Sequence, residues 1–199
     1  MPELDDALVK LSSWLTENEI RHMVIGGFAV TVWGEPRFTR DLDVTVSVPA
    51  DKFGQIIDRI CARFPSLSGD PLKFVTETRV LPIMVEAVPV DLIFAALPYE
   101  EEAIARARTI HLKQGSVPVC SPEDLILHKI VSQRPRDHED IEGVFRYRHA
   151  ELDYGYLDPR VEELADALSD RNSSIGTAVY ANAGALDNAK TLRTAASQT

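Results

Sequence analysis

The sequence predicts an α+β fold, with a mixed sheet of about four to five strands flanked by helices and then a helical C-terminal part. Short apolar or alternating runs, typical of strands, lie between longer segments with helical periodicity. Two of the strand-like runs are joined by a short link, which favours an antiparallel hairpin. From residue 121 onward the patterns are helical, and they predict the C-terminal part.

The first forty residues predict a helix, a strand and a second helix. Residues 4–19 have helical spacing, with apolar positions at Leu4, Leu8, Leu11 and Leu15. The apolar run 22–25 is a strand that stops at two glycines, and a helix is expected over residues 28–34. Pro36 interrupts this helix, because proline disfavours helical backbone in the residue before it.

Residues 41–48 alternate, so that acidic and hydroxyl side chains share one face of a strand and apolar side chains share the other. An amphipathic helix over residues 51–64 comes next, and the runs 79–86 and 89–95 form the hairpin. A single short strand is expected near residues 109–119. Further helices are expected over residues 99–108, 121–132, 138–148 and 158–169, where Ser121-Pro122 and Asp158-Pro159 are favoured helix starts.

These elements divide the chain into three parts. Residues 1–120 form the sheet-containing core, and residues 121–170 form a helical part packed on that core. Residues 171–199 have little apolar pattern, and we expect a flexible tail there.

Composition excludes several classes of protein. A net charge of −10 argues against broad, non-specific DNA binding, which needs an extended basic surface. Four arginines lie within residues 134–148, namely Arg134, Arg136, Arg146 and Arg148. They form either a local basic patch or a solvated helical face that neighbouring acids balance. The absence of any apolar run near 20 residues predicts no membrane span. Cys61 and Cys120 match no metal spacing and imply no disulfide framework, so we expect a cytoplasmic protein.

Three aspartates are candidate metal ligands. Asp41 and Asp43 project from the same face of a strand, although such a pair alone is common on exposed strands. Asp91 stands alone in an apolar strand, where a carboxylate needs a partner or a metal unless that end of the strand is exposed. If the two strands are neighbours, each close pair of carboxylates costs up to about 4 kcal/mol in repulsion. A divalent cation such as Mg²⁺, which prefers oxygen ligands, would relieve that repulsion.

Two glycines and a pair of polar residues are candidates for binding phosphate. Gly26 and Gly27 follow a strand and open a helix, where free N–H groups can meet an anion. Thr39 and Arg40 stand at the entrance of the next strand, where a cation could touch a triphosphate, although a surface salt bridge explains Arg40 equally well. Arg37 is a weaker candidate.

Lys129 and Asp137 are the candidates in the C-terminal part. Lys129 is a single cation on an apolar helix, and it either extends to solvent or binds phosphate as a point charge. Asp137 is either the N-cap of the next helix or a catalytic acid, and its spacing favours capping.

Taken together, the motifs resemble the DNA polymerase β-like nucleotidyltransferase superfamily. The resemblance consists of Gly26-Gly27, thirteen intervening residues, Asp41-x-Asp43 and a later Asp91. Residues 37–43, RFTRDLD, are similar to the bacterial minimal and AbiEii-like branch, which includes toxins of toxin–antitoxin systems. The segment from residue 124 to residue 141 is similar to the lysine-bearing helix and arginine/aspartate stretch of that branch. The chain departs from many members at Gly27, where they carry serine.

This resemblance implies a nucleotidyltransferase fold over residues 20–145 and a transfer of a nucleoside monophosphate from an NTP such as ATP. It implies catalysis and Mg²⁺ binding by Asp41, Asp43 and Asp91. It implies nucleotide binding by Gly26, Gly27, Thr39, Arg40, Lys129 and Arg136. The expected acceptor is a hydroxyl of a tRNA or a protein rather than a small molecule, and a cognate antitoxin is an expected partner. A catalytically idle nucleotide-binding or partner-interaction module is the alternative.

Overall fold

The computed structural model of the chain describes residues 2–96, 98–132 and 136–169. The chain divides into two compact units. The first unit comprises the residues up to Phe28 together with Phe38–Ser121, and the second comprises Ala29–Arg37 together with the residues from Pro122 onward. Arg134 and the tail that was expected to be flexible lie outside the described residues.

The first unit contains the sheet. Its elements, in chain order, are α1 (Pro2–Glu17), β1 (Arg21–Ile25), the start of α2 (Gly26–Trp33), β2 (Leu42–Ser47), α3 (Phe53–Arg63), α4 (Pro71–Thr78), β3 (Val80–Val85), β4 (Val88–Phe94), α5 (Pro98–Arg106), β5 (Arg108–Leu112) and β6 (Gly115–Val119). The second unit contains the rest of α2 and three further helices: α6 (Pro122–Ser132), α7 (Asp137–Arg148) and α8 (Tyr154–Ser169).

The six strands are ordered β3-β4-β2-β1-β6-β5. β2 pairs with β4 and β1 pairs with β6 in parallel, and the remaining pairs are antiparallel. The α+β class and the mixed sheet are therefore as predicted. The number of strands exceeds the prediction because residues 109–119 form a hairpin rather than one strand. Its turn at Lys113-Gln114 lacks the glycine, asparagine or proline that marks most tight turns.

The two faces of the sheet differ in exposure. One face is fully buried and is built from the apolar alternate positions of the strands, such as Val44, Val46, Leu92 and Phe94. α1 packs on this face, where Val9 approaches Gly115, and its buried leucines are Leu4, Leu8, Leu11 and Leu15. The opposite face carries Asp43 and Asp91 and is more open, and α5 covers its other end through Glu101, which accepts a hydrogen bond from Ser47.

Some helix boundaries differ from the predictions for local physical reasons. α2 begins at Gly26 rather than at residue 28. α4 was not predicted because it is short and buries only Val75, although the carboxylate of Asp70 caps it by accepting from the Lys73 amide at 3.1 Å. α8 begins at Tyr154 rather than near residue 158, because Asp153 supplies the N-terminal cap.

Among the described residues, no helix is both long enough and apolar enough to cross a membrane.

Candidate functional site

Gly26 is the point where β1 turns into α2, and it meets two requirements that only glycine satisfies. Its φ is +64°, in the left-handed region that other residues rarely adopt. A Cβ atom added there would lie 1.9 Å from Asp43 Oδ2. The backbone at the start of α2 therefore lies directly against the Asp43 carboxylate.

Asp43 and Asp91 are neighbours on two parallel strands. In the register of β2 and β4, Asp43 is the partner of Asp91, so both side chains leave the same, more open face of the sheet. Asp43 is half-buried and Asp91 is exposed. The two strands are adjacent, which was the condition for the acids to approach one another, and this adjacency sets Asp43 beside Asp91.

Asp41 is held differently. It precedes β2, is exposed, and has a carboxylate that accepts a hydrogen bond of 3.1 Å from Thr39 Oγ1. The same hydroxyl also lies 3.1 Å from the Asp41 carbonyl oxygen. Thr39, which was expected to bind nucleotide, thus orients Asp41 from a buried position.

The expected convergence of three carboxylates on one metal has to be corrected. Within residues 2–96, 98–132 and 136–169, no three His, Cys, Asp or Glu side chains are arranged so that they could hold a metal ion. The hydrogen bond from Thr39 fixes the direction of the Asp41 carboxylate, whereas the strand register sets Asp43 beside Asp91. Two carboxylates still fit Mg²⁺, which is commonly bound by one or two carboxylates together with substrate phosphates and water.

Arg40 is exposed on the chain segment that leads into β2. Its guanidinium carbon lies 5.7 Å from the centre of the Phe38 ring. Whether Arg40 binds a triphosphate stays a prediction.

Lys129 is at the centre of a buried ionic cluster in the second unit. Its Nζ lies 2.7 Å from a carboxylate oxygen of Asp137 and 2.7 Å from one of Asp140. Asp140 also accepts two hydrogen bonds from Arg37, at 3.0 Å from Nε and 3.2 Å from an Nη atom. The two cations and two anions of these four side chains balance one another.

The chain matches one family over residues 4–175, and the family is described as "Nucleotidyl transferase of unknown function (DUF2204)". The chain belongs to this nucleotidyl transferase family. No curated protein is significantly similar to it in sequence.

Solved nucleotidyltransferase structures share the fold at low identity. An antigenic nucleotidyltransferase-like protein from Paracoccidioides brasiliensis has a TM-score of 0.56 and 18% identity, covering 90% of this chain and 93% of its own. The antibiotic-resistance factor ANT(2'')-Ia in solution has a TM-score of 0.51 and 16% identity, covering 88% and 96%. A crystal structure of ANT(2'')-Ia in complex with adenylyl-2''-tobramycin has a TM-score of 0.51 and 15% identity, covering 79% and 94%.

For this nucleotidyl transferase family member, the expectations for Lys129 and Asp137 need revision. Lys129 is only 8% exposed, so it neither extends to solvent nor presents an uncompensated charge to a phosphate. Asp137 is the first residue of α7 rather than its N-cap, which is Arg136, and its carboxylate binds Lys129 instead of capping the helix.

The arginines of the expected basic patch are largely balanced by acids where the structure describes them. Arg146 pairs with Glu35 and Arg148 pairs with Glu151. Arg136 is exposed at the start of α7. In both pairs the balancing acid lies outside α7.

Sequence reasoning missed the pairing of Arg37 with Asp140 and the exposure of Phe38. The pair joins residues 103 positions apart, and no local pattern signals such a contact. The sequence marks Phe38 only as part of the RFTRDLD string, because an apolar residue between charged residues can be either buried or exposed.

Proposed function

We propose that the protein is a Mg²⁺-dependent nucleotidyltransferase that moves a nucleoside monophosphate from an NTP to an acceptor hydroxyl. The observation that carries the proposal is the pair Asp43 and Asp91, set side by side on parallel strands next to the backbone of Gly26. Membership of the nucleotidyl transferase family supports the same reaction class.

Asp43 and Asp91 are the proposed principal metal ligands, and Asp41 joins them when the nucleotide is bound. Carboxylate oxygens are the donors that Mg²⁺ prefers, and the open face of the sheet admits the phosphates that complete its shell. When bound, Mg²⁺ supplies neutralisation of the charge that develops on the phosphate oxygens.

The proposed reaction is an in-line substitution at the α-phosphorus. Asp91 accepts the proton of the acceptor hydroxyl, whose oxygen forms a bond to the α-phosphorus. The bond from the α-phosphorus to the oxygen bridging to the β-phosphate breaks, and pyrophosphate leaves with that electron pair. The acceptor retains the nucleoside monophosphate as a phosphodiester or equivalent ester.

The triphosphate is proposed to lie along the start of α2. The N–H groups of Gly26 and Gly27 are proposed to face the β- and γ-phosphates, because a helix N-terminus carries a positive partial charge. Arg40 and Arg136 are the proposed neutralising side chains, since both are exposed. A nucleotide-binding role for Lys129 requires that it exchange a carboxylate for a phosphate, and Lys129→Ala tests it through nucleotide affinity.

The proposed acceptor is a tRNA or a protein, and the proposed context is the toxin of a toxin–antitoxin system with a cognate antitoxin. The similarity of residues 37–43 to the AbiEii-like branch supports this assignment. A small-molecule acceptor is less favoured, although one solved structure of similar fold is a complex with adenylyl-2''-tobramycin.

The alternative is an idle nucleotide-binding or partner-interaction module. The observation in its favour is that Asp41 does not join Asp43 and Asp91 in a three-carboxylate group among the described residues. Such a module would bind NTP without transferring label.

The test is to incubate the protein with each α-labelled NTP, Mg²⁺ and either total cell RNA or lysate protein. Label should appear on an acceptor with the wild type and with Asp58→Ala, an exposed acid on α3 that serves as the control. It should disappear with Asp43→Ala, which we expect to reduce transfer about a thousandfold or more, the loss of several kcal/mol of charge stabilisation. NTP binding without label from any acceptor would favour the idle module. Label that persists in Asp43→Ala would contradict the proposed site.

A further inference from the structure

Phe38 is exposed to an extent that no other phenylalanine of the chain approaches. Five of the seven phenylalanines are buried, Phe74 is 38% exposed, and Phe38 is 65% exposed. A single exposed apolar residue needs no explanation by itself. Its position immediately before the acidic motif makes Phe38 relevant to the site.

The chain on either side of Thr39 holds Phe38 outward. Thr39 is buried, and its hydroxyl donates to Asp41, so this residue faces the protein. Phe38 and Arg40, the residues on either side of Thr39, are both exposed. The Arg40 guanidinium lies over the Phe38 ring, 5.7 Å from its centre, so a cation and an aromatic ring stand together next to the acidic motif.

We propose that Phe38 and Arg40 form a stacking site for a nucleobase. Aromatic rings and guanidinium planes are the groups on which proteins stack unpaired bases, and such stacking tolerates any base because every base has a π face. The positive charge of Arg40 suits a phosphate-bearing ligand and disfavours a polycationic acceptor. This inference rests on the proposed function, and it narrows the ligand class of the same site to nucleotides and nucleic acid.

The base has two possible sources, the incoming NTP and the unpaired 3′ end of an RNA acceptor. Both supply the same chemistry, a flat base next to a phosphate. Separate binding experiments distinguish them, and neither experiment depends on catalytic activity.

For the nucleotide, ATP, CTP, GTP and UTP with Mg²⁺ are titrated into the protein by calorimetry, and inorganic tripolyphosphate is titrated in parallel. Phe38→Ala should weaken NTP binding between about fivefold and a hundredfold and leave tripolyphosphate unchanged. Phe38→Trp should retain NTP binding, and Phe38→Leu should behave like Phe38→Ala because it is apolar without a ring. Phe74→Ala, the second most exposed phenylalanine, is the matched control and should match the wild type.

For RNA, a single-stranded oligonucleotide is compared with the same oligonucleotide lacking its 3′-terminal base. A loss of affinity in Phe38→Ala that appears only with the intact 3′ end assigns the stacked base to the acceptor, and a loss confined to NTP assigns it to the nucleotide. Equal affinities of wild type and Phe38→Ala for every ligand would overturn the inference and leave the proposed function intact. A wild type that binds neither NTP nor RNA would overturn both.

Discussion

Two groups of aspartates, one in each unit of the molecule, are in opposite environments. In the first unit Asp41 and Asp91 are exposed, and Asp43 is half-buried against the backbone of Gly26. In the second unit Asp137 and Asp140 are 1% and 5% exposed, and each is bound to Lys129. The same residue type therefore faces solvent in one unit and an internal cation in the other.

The difference shows how burial decides what a charged residue can do. An exposed carboxylate is stable in water and can exchange its hydration for a metal ion or a ligand. A buried carboxylate needs a partner within the fold, because desolvation without one costs several kcal/mol. On this basis Asp41, Asp43 and Asp91 are suited to bind ligands, and Lys129, Asp137 and Asp140 are suited to hold structure together.

Removing the positive charge of Lys129 should have the largest effect on stability. Lys129→Met leaves Asp137 and Asp140 without their shared partner, and we expect it to lower the free energy of unfolding by about 3–5 kcal/mol. Lys10→Met is the matched control, because Lys10 pairs with Glu86 at the surface and should lose about 1 kcal/mol or less. Urea unfolding of both variants measures the difference. Similar small losses in the two variants would break the contrast between the units.

Substituting Gly26, which lies against Asp43, should have the next largest effect on stability. Gly26→Ala forces an L residue into the left-handed region, at about 1–2 kcal/mol, and pushes a methyl group into the Asp43 carboxylate. We expect lower stability together with a loss of nucleotide affinity. Gly54→Ala is the control, because an added Cβ in α3 meets nothing within 4 Å, and it should raise stability by up to about 1 kcal/mol. Unchanged stability and affinity in Gly26→Ala would contradict the close approach to Asp43.

The smallest of these effects on stability comes from His22, a buried side chain of the first unit. His22 is bound by Ser12 at 2.8 Å and by the Ile20 carbonyl at 2.9 Å. Burial lowers the pKa of His22 below the usual 6.5, an effect that the hydrogen bond to Ile20 partly offsets. The unfolded chain therefore binds the proton more readily, and the stabilising contribution of His22 is complete above pH 6.5 and declines as pH falls below it.

Urea unfolding at pH 7.5 and pH 5.5 measures this contribution. The wild type should lose more stability between the two pH values than His22→Gln, which does not titrate. Equal losses in the two proteins would show that His22 is not buried as a neutral group.

The sequence predicted those parts of the fold and site that depend on local pattern. Alternation located β2 and an apolar run located β4, and the isolation of Asp91 in that run singled out a carboxylate that the strand register sets beside Asp43. The orientation of Asp41 depends on a single hydroxyl, and the burial of Lys129 depends on residues from a separate helix, so neither follows from spacing. The short helix α4 and the turn between β5 and β6, whose central residues are Lys113 and Gln114, were missed because their local signals are weak.

The most direct test of the proposed metal site is a calorimetric titration of NTP with and without Mg²⁺, using wild type, Asp43→Asn and Asp91→Asn. We expect Mg²⁺ to strengthen NTP binding by the wild type at least about tenfold, which corresponds to about 1.4 kcal/mol. Either substitution should remove that gain while the protein remains folded. NTP affinity that does not depend on Mg²⁺, or a Mg²⁺ effect that survives both substitutions, would contradict the assignment of Asp43 and Asp91 as metal ligands.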